Sequence, residues 1–591
     1  PAQISYTAEV TFPVDRIYMI ATAAAGTTIS INGTPIASGK LSAPIALPQF
    51  GAGSPTAVNV EVSANGQTAR YVIQVTRSEA VFKQEAYVKA SNTEGAPPDT
   101  LPTAEDEFSD AGSRSGDAFG SAVGLSRDGR LLVVGARHED SAATQINGDQ
   151  TNNDALGAGA AFAFLRTEIW TQSAYLKASN AQSRTGGVNP DNTPRDRPDT
   201  FGINTIAASG DGGTIAIGAT GEDSGVTGNQ ADNSALDAGA VYVYANDSSG
   251  WRQSTYVKAS NPGAEDYFGG EIALSRNGDV MVVGAVAEDS RATGVNSDQA
   301  DNSMTNAGAV YAFARVAPDT WEQTAYIKAS NTNSRTRFGD CLALSEDGTM
   351  LAVGSPLEAS NARGVGGDQA NRDAAGAGAV YIYTMQGGAW VQQVYIKASN
   401  TAANDEFGCG LAFNADATLL AVGAPLEDSA ATGVNNDENN DAALDSGAVY
   451  LFGRDGGTWS QRAYIKASNT RVGDKFGQVV RLSTDGTRLL VTAPNSDGAA
   501  PGVNPTQDDV DVPDVGAAYL FQRDGAVWRQ QAFIKPSNGG AVDHFGWKAD
   551  MSADGAVIAI GSALEDSNAT GIDRDQTNND AVNSGAVYVF R

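Results

Sequence analysis

The chain has 591 residues, and its 39 Lys and Arg against 69 Asp and Glu give a net charge of −30. Such a surface repels nucleic-acid phosphates and anionic lipid headgroups, which argues against both as partners. Hydrophobic residues reach 41% and charged residues only 18%, a balance that suits a folded core and excludes a disordered acidic tail. No apolar run approaches the roughly 18 residues that cross a bilayer. We therefore expect no membrane insertion, and we expect any signal peptide to have been removed.

The sequence before residue 81 predicts a small β-sandwich. Strand-like stretches separated by Asn-Gly or Gly-rich turns are typical of hairpins in such domains. They cover residues 4–12, 16–22, 28–31, 57–62 and 71–75. Residues 1–80 are assigned to this domain, and the short join near residues 76–79 predicts a limited range of angles to the next one.

From residue 81 onwards the chain repeats one unit seven times. A Tyr-x-Lys-Ala-Ser-Asn segment or a near copy recurs with an aromatic residue five positions before the tyrosine, and its lysine is Lys89, Lys177, Lys258, Lys328, Lys397, Lys466 or Lys535. A Phe-Gly pair follows each copy, at Phe119-Gly120, Phe201-Gly202, Phe268-Gly269, Phe338-Gly339, Phe407-Gly408, Phe476-Gly477 and Phe545-Gly546. Then come a short strand, a Ser-x-Asp-Gly turn, a second strand, an acidic loop and a third strand.

This order predicts an all-β fold for residues 81–591, a seven-bladed propeller with four strands in each blade. The last unit stops at Arg591 after its third strand, while an isolated fourth strand opens the region at residues 81–89. If that strand completes the last blade, no open sheet edge is left at the junction. An open solenoid is the alternative, with one unpaired strand at one end and a three-stranded unit at the other.

The repeat resembles the FG-GAP repeats of the integrin alpha-subunit propeller and its bacterial relatives. The matching motifs in one unit are Phe407-Gly408, Val422-Gly423-Ala424-Pro425 and Gly447-Ala448-Val449-Tyr450-Leu451-Phe452, and each unit has equivalents. The resemblance implies extracellular recognition.

Residues 5–7, 28–34 and 71–77 resemble the bacterial cadherin-like β-sandwich family. Members of that family have a further strand before the position of Tyr6. We therefore expect the sandwich either to have lost that strand or to receive one from a partner.

Calcium is the one cofactor that the sequence suggests. The Asp-x-Asp-x-Asp-Gly loop of integrin-type blades is missing, because turns such as Ser126-Arg127-Asp128-Gly129 offer too few oxygens for a cation that takes six to eight. The acidic loops before the third strands are better candidates, since they carry oxygen-bearing side chains at every second or third position. The candidate calcium ligands are Asn147, Asp149, Asn152, Asp154, Asn296, Asp298, Asp301, Asn435, Asp437, Asn439, Asp441, Asp573, Asp575, Asn578 and Asp580. Closure of Asx-turns on their own backbone explains the same residues equally well.

No catalytic set is apparent. His138 and His544 are the only histidines and stand in different units, and no nucleotide-binding motif occurs. The residue at the position of His544 differs in every unit, which indicates tolerance. A Glu-Asp-Ser triplet recurs at Glu222, Glu288, Glu427 and Glu565 beside the repeated lysine, which predicts a structural ion pair inside each blade, with paired catalytic carboxylates as the alternative. We expect a protein that is not an enzyme.

Two cysteines exclude a disulfide framework. Cys341 and Cys409 stand beside equivalent Phe-Gly pairs but one residue out of register, which would point strand side chains to opposite faces. We expect two small buried apolar residues, with a disulfide as the alternative.

Three functions follow as hypotheses for a protein placed outside the cell or on a bacterial surface. The first is a binding or adhesion scaffold that presents propeller loops to a protein or surface ligand, with help from calcium. The second is a calcium-dependent lectin, whose ligand is a glycan. The third is a subunit of an extracellular fibre that assembles by strand donation to the sandwich. Irregular segments at 93–117, 181–199 and 501–514 are either binding loops or slack in the chain.

Overall fold

The structure, a computed structural model, describes residues 4–11, 16–46, 56–78, 82–95, 116–183 and 198–591. The chain divides into two compact units, Pro1–Phe82 and Lys83–Arg591. The irregular stretches at 96–115 and 184–197, and the join at 79–81, lie outside the described residues. No helix in the described part of the chain is long and apolar enough to cross a bilayer.

The first unit is a five-stranded mixed sheet with a two-stranded sheet packed on it. Its strands are β1 (Ile4–Thr11), β2 (Arg16–Ile17), β3 (Thr28–Ile31), β4 (Thr34–Ile36), β5 (Ile45–Ala46), β6 (Thr56–Ala64) and β7 (Gln67–Ser78). The large sheet has the order β1-β7-β6-β3-β4, and β2 pairs with β5. Ile29, Val58 and Val75 lie in its core beside Ile17 and Ile45 of the small sheet. β1 is an edge strand that runs parallel to β7.

The described residues of the second unit form 29 strands. The first are β8 (Gln84–Val88), β9 (Phe119–Leu125), β10 (Leu131–Ala136), β11 (Ala160–Arg166), β12 (Trp170–Leu176), β13 (Ile206–Ala208), β14 (Thr214–Ala219), β15 (Ala240–Asp247) and β16 (Gly250–Val257). Next come β17 (Phe268–Leu274), β18 (Val280–Ala285), β19 (Ala309–Ala317), β20 (Thr320–Ile327), β21 (Leu342–Leu344), β22 (Met350–Ser355), β23 (Ala379–Gln386), β24 (Ala389–Ile396), β25 (Gly410–Phe413) and β26 (Leu419–Ala424). The last are β27 (Ala448–Asp455), β28 (Thr458–Ile465), β29 (Val480–Leu482), β30 (Arg488–Ala493), β31 (Gly502–Val503), β32 (Ala517–Asp524), β33 (Val527–Lys535), β34 (Lys548–Met551), β35 (Ile558–Ser562) and β36 (Ala586–Phe590).

These strands form seven antiparallel sheets, which we number as blades one to seven. Blades one to five are β9–β12, β13–β16, β17–β20, β21–β24 and β25–β28; blade six is β29, β30, β32 and β33 with the short β31 added. Blade seven has the order β34-β35-β36-β8, so the strand that opens the region completes the last sheet. The first strand of each blade contacts the first strand of the next, and β34 contacts β9. The seven-bladed ring with its predicted closure is therefore confirmed.

Glycine makes the close joint between neighbouring blades possible. Gly408 has φ +100°, and a Cβ there would lie 2.8 Å from the carbonyl oxygen of Ala379 in the preceding blade. Gly378, with φ +78°, would place a Cβ 2.1 Å from the carbonyl oxygen of Phe407. L-residues avoid such φ values, and backbone atoms cannot give way as a flexible side chain can. The repeated Phe-Gly and Gly-Ala pairs are therefore the two sides of one inter-blade contact.

The strand order gives the propeller two different faces. The Ser-x-Asp-Gly turns lie on one face, which we call the turn face, because each joins the first and second strands of a blade. The acidic loops and the Lys-Ala-Ser-Asn segments lie on the other, which we call the loop face. Its acidic loops are residues 137–159, 220–239, 286–308, 356–378, 425–447, 494–516 and 563–585.

Candidate functional site

A buried ion pair lies beneath the loop face in six blades. In blade five, Lys466 Nζ is 2.9 Å from Glu427 Oε2, and both side chains are at most 2% exposed. The equivalent pairs are Lys89–Glu565, Lys177–Glu139, Lys258–Glu222, Lys328–Glu288 and Lys397–Glu358, at 2.7–2.9 Å. Burial lowers the pKa of Lys466, and Glu427 opposes that change. The predicted structural ion pair is confirmed in these six blades, but the prediction of one in each blade was wrong for blade six.

Each of these glutamates also holds two blades together. Glu427 Oε1 accepts hydrogen bonds from the Tyr464 hydroxyl of its own blade at 2.8 Å and from Asn400 Nδ2 of the preceding blade at 2.9 Å. Asn400 Oδ1 in turn accepts a hydrogen bond from the hydroxyl of Tyr450 at 2.5 Å. The Asn of Lys-Ala-Ser-Asn is thus an inter-blade link, a role that the sequence pattern did not reveal.

Blade six has lost the acid and its phenol partner together. Ser496 stands at the glutamate position and Phe533 at the tyrosine position. Lys535 Nζ donates to the backbone carbonyl oxygens of Ser496 at 2.9 Å and Asp497 at 2.7 Å. Burial lowers the pKa of Lys535 to about 8, against the opposing charge of Asp474. In the other six blades the phenol donates a hydrogen bond to the acid, so blade six lacks both partners of that bond.

The candidate calcium ligands serve as hydrogen-bond acceptors for their own loops. Asn147, Asn296, Asn435 and Asp573 each accept the backbone N–H of the tyrosine on the blade's fourth strand, at 2.9–3.0 Å. Asp149, Asp298, Asp437 and Asp575 accept the N–H two residues further along, at 2.9–3.1 Å. Asn152 and Asn578 accept the N–H of Ala142 and Asn568, both at 2.9 Å.

The remaining candidates lie at the surface of the same loops. Asp301 accepts the N–H of Ser303 and pairs with Arg291 at 2.8 Å, while Asp580 accepts Asn568 Nδ2 at 3.4 Å. Asp154, Asn439 and Asp441 are exposed. Within the described ranges, no three His, Cys, Asp or Glu side chains gather as a metal site would require. The observed bonds fit turn formation, and calcium binding by these loops stays a prediction.

A second set of buried acids stands two residues before the Phe-Gly pair. Burial raises the pKa of Asp543 to about 8, with Glu565 and Asp566 adding to the rise, although the N–H of Gly540 donates to it at 2.7 Å. The pKa values of Asp266, Asp405 and Asp474 rise to about 7 for the same main reason. Asp117 and Asp199 accept the same kind of backbone bond. These carboxyls close a turn, and the charge of a buried glutamate also raises the pKa of Asp266, Asp405 and Asp543.

A cavity of about 750 Å³ lies on the axis of the propeller, lined by residues beside the Phe-Gly pairs of several blades. Both cysteines lie in its wall, and the thiol of Cys341 contacts the carbonyl oxygen of Cys409. The expectation that they point to opposite faces was wrong. Cys341 precedes β21 and Cys409 precedes β25, so the alternation of a regular strand does not apply to either.

Grooves lie between the outer strands of neighbouring blades. One of about 650 Å³ is lined by Trp459, Gln461, Ser399 and Glu438, and a second of similar volume is lined by equivalent residues from blades three and four. Trp459 is 4% exposed, so the indole forms the floor of the groove. Amide, hydroxyl and carboxylate groups form the accessible wall.

Family models match both parts of the chain. The cadherin-like beta sandwich domain matches residues 1–78, and the FG-GAP repeat matches residues 251–313, 390–452 and 528–590. The chain carries a cadherin-like β-sandwich and FG-GAP repeats. The three matched FG-GAP segments run from the fourth strand of blades two, four and six into the third strand of the next blade. They therefore straddle the inter-blade contact at the Phe-Gly pair.

Several solved structures are similar to this chain at very low sequence identity. Hydrazine synthase of Kuenenia stuttgartiensis is 10% identical, with a TM-score of 0.42, 77% of this chain covered and 96% of that one. The WD40 repeats of RRP9 are 9% identical, with a TM-score of 0.40, and the match covers 86% of this chain and 100% of that one. The Cps50 (Swd1) beta-propeller domain of Myceliophteria thermophila is 8% identical, with a TM-score of 0.40, and the match covers 77% of this chain and 95% of that one. No curated protein matches the sequence.

Proposed function

We propose that this chain is a non-enzymatic protein of the cell exterior or bacterial surface, whose propeller binds a protein or surface ligand through its loop face. FG-GAP repeats joined to a cadherin-like sandwich favour a binding or adhesion role. The observation that carries the proposal is the gathering of all seven acidic loops on one face of a closed ring. A rigid scaffold with long loops on one side is the usual arrangement of a recognition surface.

The charge of these loops indicates the chemistry of the partner. Exposed carboxylates that make few contacts, such as Asp154, Asp441 and Asp580, project from the loops of three blades. They favour a ligand with a basic surface, and they predict binding that weakens as salt is added.

The test uses the full chain on an array of purified extracellular proteins and intact bacterial cells, followed by kinetics on each hit at low and high salt. We expect a triple variant with Asp154, Asp441 and Asp580 changed to asparagine to associate more slowly. The matched control changes Asp319, Asp455 and Asp524, which are exposed at turn-face hairpins, to asparagine. Equal loss in both variants, or no saturable binding to any member, would contradict the proposal.

A lectin is the second candidate, and the grooves between blades favour it. Gln461, Ser399 and Glu438 line one groove with the polar groups that hydrogen-bond sugar hydroxyls. A glycan array is the test. Binding that is lost in Gln461→Ala supports a lectin, and silence across the array removes it.

Assembly through the sandwich is the third candidate. β1 lies at the edge of its sheet, and the side chains of residues 5–8 are exposed, so a strand from another molecule could add there. Light scattering decides between an assembly and a strict monomer, which would refute this version.

A further inference from the structure

The axial cavity reaches the loop face at one end, and an ion pair of the turn face lies beyond its other end. At the turn face, the Arg127 guanidinium crosses the axis to the carboxylate of Glu346 and donates to Thr484 Oγ1 at 2.6 Å. Asn306, Pro425 and Leu426 of the loop face line the opposite end. Its volume of about 750 Å³ suits a small molecule.

The residues that line the cavity differ between the seven units, whereas the Phe-Gly pairs beside them do not. Phe and Gly are identical in all seven pairs, but the residue before the pair is Ala118, Thr200, Tyr267, Arg337, Glu406, Lys475 or His544. Each of these has φ between 50° and 56°, a left-handed conformation that glycine would adopt without strain. Glycine stands at none of them. Four of the seven line the cavity: Tyr267, Arg337, Glu406 and Lys475.

The charges of the lining are separated across the ring. Carboxylates come from blades three, four and five as Glu271, Asp340 and Glu406. Cations come from blades six and seven as Lys475, Arg481 and Lys548, with Arg137 from blade one and Arg337 beside Asp340. A protein of net charge −30 thus has more cations than anions in this lining.

Several of these charges lack a direct partner. Arg337 is paired with Asp340 at 3.1 Å and Arg481 with Asp550 at 3.0 Å. In contrast, Lys475, Lys548 and Glu406 make no side-chain ion pair or hydrogen bond within the described part of the chain, and Glu271 accepts only the hydroxyl of Thr205. Half-buried charges without partners are unfavourable unless a ligand or water satisfies them.

We propose that the axial cavity binds a small zwitterion, whose anionic group is held by Lys475 and Lys548 and whose ammonium group is held by Glu271 and Glu406. A zwitterion supplies both charges in one molecule, whereas a simple anion or cation leaves one side of the pocket unmatched. Trp547 and Leu411 provide apolar wall between the two sides. This binding is independent of the proposed loop-face function and needs no macromolecular partner.

The test is a titration of the purified full chain with ω-amino acids from glycine to 6-aminohexanoate, followed by calorimetry and thermal melting. The series covers different separations of the two charges. We expect at least one member to bind saturably and to raise the melting midpoint. Pentanoate and pentylamine, which each carry one of the charges of 5-aminovalerate, are expected to bind at least tenfold more weakly than the best zwitterion.

Two substitutions then locate the site. Lys548→Gln and Glu271→Gln are each expected to weaken binding at least tenfold, while Lys83→Gln, at an exposed lysine of the same unit, leaves it unchanged. Absence of saturable heat across the whole series overturns the proposal. So does equal binding of pentanoate or pentylamine, a comparison that needs only the unsubstituted protein, or unchanged affinity in a folded Lys548→Gln or Glu271→Gln.

Discussion

Replacing Glu427 by glutamine removes the anion that faces Lys466 and keeps the size of the side chain. Lys466 Nζ then loses its anionic partner and keeps only neutral acceptors, the glutamine oxygen and Ser446 Oγ at 2.8 Å. The glutamine NH2 group would also meet another donor: Asn400 Nδ2 if it takes the Oε1 position, or Lys466 Nζ and the Ser429 N–H if it takes the Oε2 position. Removing one member of a buried ion pair costs about 3–5 kcal/mol, because the other charge stays buried without compensation.

This free energy corresponds to a measurable shift in melting. The propeller unit, Lys83–Arg591, spans about 500 residues, and at about 2.1 cal/mol/K for each residue its unfolding entropy is about 1.1 kcal/mol/K. A loss of about 4 kcal/mol therefore lowers the midpoint by about 4 °C. Calorimetry at one fixed scan rate measures the shift and keeps irreversible steps comparable.

Two further variants test the cause. In Glu427→Gln/Lys466→Met no charge is left buried, and we expect most of the lost stability to return, as replacement of a buried pair by apolar groups is often neutral. Asp441→Asn removes one carboxylate from the same blade at an exposed site, and its midpoint should stay within about 0.5 °C. The reasoning is refuted if Glu427→Gln melts like Asp441→Asn, or if the double variant is less stable than the single one.

Three other measurements test the fold and its loops. Gly408→Ala combines φ +100° with a backbone contact at 2.8 Å, so it should cost about 3 kcal/mol or more; Gly457→Ala, with φ +91° and open space around it, should cost only about 1–2 kcal/mol. Equal melting midpoints for the two would contradict the account of the inter-blade contact. Because the folded protein holds Asp543 with a pKa of about 8 and Asp474 with a pKa of about 7, it binds more protons than the unfolded chain. The contribution of these carboxyls to stability should be fully present below about pH 4 and fall as the pH rises to about 8, and Asp543→Asn should flatten that fall. A midpoint that rises over this range would show the sign to be wrong. Calcium at about 1 mM should leave the midpoint unchanged relative to chelator, whereas a rise of several degrees that Asp575→Ala abolishes would restore the calcium hypothesis.

Repetition explains why so much of the fold could be predicted. Scaffold residues must satisfy the same contacts in every blade, so Phe407-Gly408 and Lys466 have equivalents at regular spacing that one sequence displays seven times. Closure by β8 followed from counting strands at both ends of the region. The pair of Lys397 with Glu358 was harder to see, because Ala359 interrupts the Glu-Asp-Ser triplet in that blade.

The axial cavity could not be predicted for the opposite reason. Its residues come from segments about 70 residues apart, and variation between units at the position of His544 indicated tolerance. Only closure of the ring brings Lys548 and Glu271 into one cavity. The variable residues before the Phe-Gly pairs of several units line the same cavity. The links between blades were missed as well, since Asn400 meets Glu427 only when two sheets lie side by side.

The seam of blade seven also sets how the ring responds to mechanical load. Lys83 and Arg591 exchange two backbone hydrogen bonds of 3.0 Å. They lie where β8 begins and β36 ends, at one end of this antiparallel pair. Tension applied between these two residues would pull the pair apart from that end, breaking its bonds one after another rather than all at once. A tethered molecule stretched in this way would open first at its seam, while six blades with unbroken chain connections stay folded.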